Sequence, residues 1–343
     1  MTWLQRRSVA TQSIASCTVL MLLMASSGCE PQDYQKPIQG FQDASNTVIS
    51  AERAFLANEN TIEQDMYINQ QVFEQKPLNP KEIDAQTIIT PEEIKFRTEA
   101  LDALSKYTVN LATLAAGKED SSVGADTKTC STNLQTLAKD AAAKMTDKMK
   151  DQKQATAFDT KFSGIAGAAA SAIGAVAQLI LEHKARTAIR ESVNSTDKDV
   201  TALIQLIGDD AQDSYERQRT KLNNYGLQLL RDYDCEVRPE QASQSDSNSS
   251  GQVGCRKTRG DAASLLALAD RIKAWRSDQT TLAAANPASA IEKMKKAHED
   301  LVKYVNAPNV PQTLQQLRDS VQAFVSAAQP LGDAVQQLVK ASK

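Results

Sequence analysis

The chain has 343 residues, with 39 Lys and Arg against 42 Asp and Glu, two His and only 5% aromatics. So weakly acidic a chain lacks the basic footprint that nucleic acid requires, and two histidines leave little for metal or triad chemistry. Alanine and glutamine are plentiful while glycine and proline are rare, which favours helix and argues against a sandwich or barrel.

Residues 1–28 read as an address. Arg6 and Arg7 open the chain, Thr18–Met24 is apolar, and Ala25-Ser26-Ser27-Gly28 is a small-residue exit, the three-part plan of an export signal. Setting Arg6 and Arg7 aside leaves 37 basic against 42 acidic residues. Cys29 comes next. With Ser26-Ser27-Gly28-Cys29 in the place of a lipobox, the first thirty residues resemble a bacterial lipoprotein precursor, although Ser26 stands where that family usually has Leu. The resemblance implies that the Cys29 thiol carries a diacylglycerol and becomes the new N-terminus. Glu30, in place of the Asp associated with inner-membrane retention, implies the outer membrane of a Gram-negative envelope. The alternative is ordinary cleavage near Ala25–Gly28, which leaves Cys29 a plain thiol. Residues 29–37 then form a polar, proline-containing tether.

Residues 38–235 read as a bundle of long helices. A first helix over Ile38–Val72 carries Phe41, Val48, Phe55 and Ile62 at sevenfold spacing, a continuous apolar seam. Residues 75–90, with Pro77 and Pro80, read as a loop. Thr90-Pro91-Glu92-Glu93 is a helix start with a capping Thr, Pro at the first position and Glu at the third. The apolar period from Ile94 to Ala115 follows it, and Gly117 suits the stop. A third helix carries Leu134, Leu137, Ala141 and Met145. Asn194–Asp197 reads as a turn in which Thr196 and Asp199 form a capping pair, with a helix of about forty residues after it.

The architecture is organised around Phe162–Leu181, twenty residues without a charge. Such a run must be wrapped on all sides by protein or by lipid. Gly164, Gly167 and Gly174 allow close approach of a neighbouring backbone, while Phe162, Ile173, Val176 and Leu181 are among its few large apolar groups. The preferred reading is the central helix of a bundle; the alternative is a concealed membrane segment. The expected fold is therefore all-α, an elongated bundle of long amphipathic helices around an Ala/Gly-rich central helix.

Residues 236–260 form a polar loop that cannot bury a core, bracketed by Cys235 and Cys255. In an oxidising compartment these two cysteines are expected to pair, closing the loop at a gain of about 3 kcal/mol in the chain-entropy model. Residues 261–343 read as a C-terminal helical subdomain of three helices: Asp261–Ala284, one begun by a Ser289–Glu292 capping box, and Pro311–Val339, with a kink expected at Pro330.

Chemistry is sparse. No HExxH, CxxC, phosphate loop or GxSxG is present, and neither His183 nor His298 has a second His at metal spacing, so no catalytic residue, metal or cofactor is assigned. His298, on a seam, reads as a packed histidine. Asp209, Asp210 and Asp213 read as a solvated face, with Arg217 paired to Asp213 one turn away. The expected function is that of a membrane-anchored envelope lipoprotein serving as a non-enzymatic scaffold or interaction module, with the membrane and a protein as partners. Two alternatives stand beside it. One is a membrane-inserting protein that resembles the alpha-helical pore-forming toxins in architecture and uses residues 162–181; the other is an envelope small-ligand binding protein.

Overall fold

The computed structural model describes residues 34–74, 76–116, 185–238, 261–308 and 310–341. Every element among them is helical: α1 Gln35–Phe73, α2 Pro80–Asp84, α3 Pro91–Ala115, α4 Ala185–Val237, α5 Ala262–Ala284, α6 Ala288–Asn306 and α7 Pro311–Ala341. The all-α expectation holds. The third helix, the run Phe162–Leu181 and His183 lie outside the described residues, and so does nearly all of the 236–260 loop.

Helix α1 is the hub of the described bundle, packing against α7, α3, α4 and α6. Its seam explains why. Phe41, Val48 and Phe55 are buried together with Ile38, Ile49 and Leu56, so the apolar face is wide enough to meet several partners at once. Phe41 meets Phe324 of α7 with ring centroids 5.8 Å apart, a tilted pair at the heart of the α1–α7 contact. Helices α3 to α7 contribute to the same apolar cluster as α1, so residues on either side of position 260 share one core.

The start of α3 is as the sequence predicts. The Thr90 hydroxyl accepts from the Glu93 amide at 3.3 Å, and the Glu93 carboxylate accepts from the Thr90 amide at 2.8 Å, with Pro91 at the first position. Asp261 caps α5 through the Ser264 amide at 2.7 Å.

Three local expectations are corrected. Residues 75–90 are not all loop: Asn79 caps a short helix, α2, by accepting from the Lys81 amide, and the Tyr67 hydroxyl ties it to α1 through Glu82. No turn interrupts α4 at Asn194–Asp197. There the Thr196 hydroxyl donates back to the Ser192 carbonyl at 2.7 Å, and Ser195 does the same at 3.1 Å, so both hydroxyls serve the helix instead of capping a new one. With Val193, Thr196 and Val200 all buried, tertiary packing outweighs the local turn signal. Finally, α6 begins at Ala288, one residue ahead of the expected capping box: the Asn286 carboxamide accepts from the Ala288 amide at 2.9 Å. Helix α7 runs through Pro330.

Candidate functional site

Three polar features stand out within this apolar bundle: an ionic core, a buried histidine, and a cleft adjoining the ionic core. The first is built where α1, α3 and α4 meet. On α1, Ser45, Glu52 and Glu59 follow one another at intervals of seven and are all buried, a polar stripe beside the Phe41–Phe55 seam. On α4, Asp210, Ser214 and Arg217 repeat at four and three, which puts them on one helix face. Arg97 enters from α3. Its Nε donates to both carboxylate oxygens of Asp210, at 3.0 and 2.9 Å, and its Nη1 donates to the Glu93 carbonyl at 3.3 Å. Glu59 accepts from Arg217 Nε at 2.6 Å and from the Ser214 hydroxyl at 2.9 Å.

Glu52 is the odd member. It is 4% exposed, and its Oε1 has no hydrogen-bond partner. Burial, reinforced by the nearby charges of Asp210 and Glu59 and opposed by Arg97 and Arg217, pushes its carboxyl up to about 8. The charge logic is simple. Two guanidiniums are already committed to Asp210 and Glu59, so a third carboxylate in the same low-dielectric space is better off keeping its proton.

This arrangement corrects the reading at Asp210 and at Arg217, which was expected to pair with Asp213; Asp213 itself is exposed, as a solvated face requires. Asp210 is buried against Arg97, and Arg217 reaches across to Glu59 on α1. Truncating Arg97 tests the pair. Arg97→Met leaves Asp210 buried without its cation and is expected to cost about 3–5 kcal/mol in urea or guanidinium denaturation, whereas Arg97→Met with Asp210→Leu recovers most of that loss. A double variant that loses the sum of what Arg97→Met and Asp210→Leu lose separately would show that the pair carries no coupling.

The second feature is His298 on α6, 1% exposed, as the seam reading predicts. Phe41 stacks on it with centroids 6.4 Å apart, and Tyr107 meets it edge-on at 5.7 Å. Its Nδ1 lies 3.4 Å from the Tyr107 hydroxyl, and its Nε2 lies 3.3 Å from Asp197 Oδ1, close enough for an ion pair but off a good hydrogen-bond line. The neighbouring His298 holds the Asp197 carboxyl below its ordinary range, while burial raises the Tyr107 phenol. Tyr107, Thr196 and His298 are all closed off from solvent, so the cluster packs α3, α4 and α6 together and offers no reacting group to a substrate.

The third feature is a cleft of about 130 Å³. Helix α1 supplies Asn58, Thr61, Ile62 and Asp65, from beside Glu59 to less than two turns beyond it. Gln218, Leu222 and Tyr225 of α4 form a second wall. Asp278 and Leu282 come from α5, and Leu338 from α7. At the Tyr225 end, the Tyr225 hydroxyl accepts from Asn69 Nδ2 at 2.7 Å, and Arg271 donates to Asn69 Oδ1 at 2.6 Å. Burial raises the carboxyls of both Asp65 and Asp278 and is the only influence that shifts them.

The residues singled out from sequence fall mostly elsewhere. Cys29, Phe162, Gly164, Gly167, Ile173, Gly174, Val176, Leu181 and Cys255 lie outside the described residues. Cys235 is buried near the end of α4 and is disulfide-bonded, with its expected partner Cys255 not described. Among the described residues, no group of three or more His, Cys, Asp or Glu is arranged to hold a metal, and no helix is long and apolar enough to cross a membrane. Sequence reading missed Glu52, Glu59 and Asp210. The signal was available: each stands at a spacing that its helix otherwise gives to buried residues. The chain matches no known protein family, no curated protein and no solved structure.

Proposed function

We infer that this chain is a membrane-anchored cell-envelope lipoprotein acting as a non-enzymatic helical scaffold or interaction module. The observation that supports it most is the ionic core. A buried ion pair adds little net stability over an apolar replacement, and its best-attested use is to fix register. Here the pairs join helices of 39, 25 and 53 residues, the longest about 80 Å from end to end. A body locked in one register over that length can hold a partner at a set distance from the membrane. Attachment through lipidated Cys29 at the outer membrane, and closure of the polar loop by Cys235 and Cys255, belong to the same proposal. The membrane-inserting alternative rests on Phe162–Leu181, and no observation among the described residues favours it.

The test is photo-crosslinking in cells from exposed positions along α4, beginning with Leu227, which is 65% exposed. The expected result is one discrete adduct in the membrane fraction, lost when Cys29→Ala moves the protein to the soluble fraction. Absence of any adduct along α4, or turnover of a substrate by the purified protein, overturns the reading.

A further inference from the structure

We propose that the face shared by the C-terminal part of α4 and the N-terminal half of α5 docks an acidic amphipathic helix of another protein, seated on Leu227, Leu230, Leu265 and Ile272. The proposal rests on the interaction-module reading and gives that module its docking face.

Two stripes meet there. On α4, Asn223, Leu227, Leu230 and Asp234 follow one another at four, three and four, so they lie along one side of the helix. On α5, Gln279, Ile272 and Leu265 stand seven apart and likewise share a side. The Gln279 carboxamide donates to Asn223 Oδ1 at 2.7 Å, which joins the two stripes at one end. The helices run antiparallel, with Trp275 against Gly226 and Gln279 against Asn223, so Ile272 falls beside the Leu227–Leu230 stretch and Leu265 lies further towards the end of α4. Leu227 is 65% and Leu230 37% exposed, and Leu265 and Ile272 are only half-buried. No residue of α5 before Trp275 is buried, although Ala262–Ala269 carries no charge. A lone exposed leucine is ordinary; a stripe shared by two helices marks an interaction surface.

Reach and size narrow the occupant. Along α4, Leu227 stands about 63 Å from Ala185, where Phe162–Leu181 joins the bundle, whereas twenty residues of helix span only about 30 Å. The 239–260 stretch, which connects α4 to α5, is polar and has no apolar stripe to lay on the face. The occupant therefore comes from outside this chain. From Asn223 to Asp234 the face is about 17 Å long, and two helices about 10 Å apart make it roughly 350 Å². A stable dimer buries about 800 Å² on each partner, so a second copy would find less than half of that here. One helix of about three turns, laid in the groove with apolar anchors at intervals of three and four, matches it.

The rim sets the charge of that helix. Arg231 and Arg238 edge the α4 stripe, Lys273 and Arg276 edge the α5 stripe, and all four are exposed. Arg231 makes only a loose contact with Asp232, at 3.9 Å. Neither the Lys273 ammonium nor the Arg276 guanidinium has a hydrogen-bond or ion-pair partner among the described residues. Asp234 is the one anion along the two stripes. Cations on both banks of an apolar groove complement a helix whose apolar face is flanked by Glu or Asp, and they repel one flanked by Lys or Arg.

The experiment is fluorescence-anisotropy titration of the full chain against a labelled helical peptide of about 14 residues, with Leu at alternating intervals of three and four and Glu and Ala between. The expected result is saturable one-to-one binding that weakens with salt. Binding should fall at least about tenfold when Lys replaces Glu in the peptide, and again when the same residues are reordered so that Leu is spread round the helix. It should fall as far in Leu227→Asp and in Lys273→Glu with Arg276→Glu. All three positions are exposed, so the variants fold, and unchanged melting verifies it. No saturation, equal binding of the Lys or reordered peptide, or undiminished binding in the variants overturns the proposal. So does self-association of the chain, or binding to anionic phosphatidylglycerol vesicles, that Leu227→Asp abolishes, since a second copy or a lipid surface would then cover the face. Cellular crosslinks from α4 positions off this stripe, without peptide binding, would sink the docking face and leave the scaffold reading standing.

Discussion

Gly226→Ala is expected to destabilise the bundle even though alanine is the better helix former. Gly226 lies within the 53-residue α4, where replacement by alanine would ordinarily gain about 1 kcal/mol. The Trp275 ring of α5 occupies the space instead. A Cβ at position 226 would stand 1.9 Å from Trp275 Cε2 and 2.1 Å from Cζ2, well inside any real contact. The ring has no easy retreat, because its Nε1 donates to the Leu222 carbonyl at 2.8 Å and it is the larger of the two buried side chains of α5. Helix α5 must therefore shift bodily, and overpacking of this kind costs about 1–3 kcal/mol or more, outweighing the propensity gain.

Trp275→Ala should cost about 3–5 kcal/mol by the opposite route, an unfilled space. Combining the two should be far from additive, since without the ring the alanine at 226 has room and its helix preference returns. Trp275 is the one tryptophan beyond residue 28, so its fluorescence in urea reports the unfolding of the wild-type and Gly226→Ala chains directly. Far-ultraviolet dichroism serves for the variants without it. Gly226→Ala with stability equal to or above wild type would sink this account.

The same contact shows what the sequence could and could not convey. The seam Phe41–Val48–Phe55, the capping box at Thr90 and the Asp261 cap were legible because each depends on spacing within one helix. Gly226 and Trp275 were not, because a glycine's purpose lies in the partner that fills the space beside it, and that partner is 49 positions away. Asn194–Asp197 misled for a related reason. Its residues favour a turn in isolation, but Ser192 and Thr196 are buried and bonded to one another inside α4. The ionic core fell between the two cases. Position along each helix marked Glu52, Glu59 and Asp210 as inward, whereas pairing Asp210 with Arg97 needed the third dimension. The cleft was beyond reach for the same reason, with its ten lining residues drawn from four helices.

Glu52 and Glu59 stand seven residues apart on one face of α1, yet the same substitution should act on them with opposite signs. Glu59 has both oxygens engaged by Ser214 and Arg217. Glu59→Gln removes the charge that compensates the half-buried Arg217 and should destabilise the protein at neutral pH by about 1–3 kcal/mol, the loss of a charge-assisted hydrogen bond at a part-exposed guanidinium. Glu52 has the reverse problem. Its carboxyl is pushed up to about 8 from an ordinary 4.5, so between these values the folded chain holds a proton that the unfolded chain has released. Its contribution to stability is full below about pH 4.5 and is lost as pH rises through 8. At roughly 1.4 kcal/mol per pKa unit, the decline is on the order of 5 kcal/mol by pH 9. Asp232, which burial pushes up to about 6, adds a smaller decline on the acid side of that window. Glutamine at 52 keeps the shape and cannot ionise. Unfolding free energies of wild type and Glu52→Gln, measured by urea titration at intervals from pH 5 to 9, should therefore diverge steadily, with the variant the more stable at the alkaline end. Parallel curves would mean that Glu52 is not the proton-holding group of the core, and that the three carboxylates share two guanidiniums in some other way.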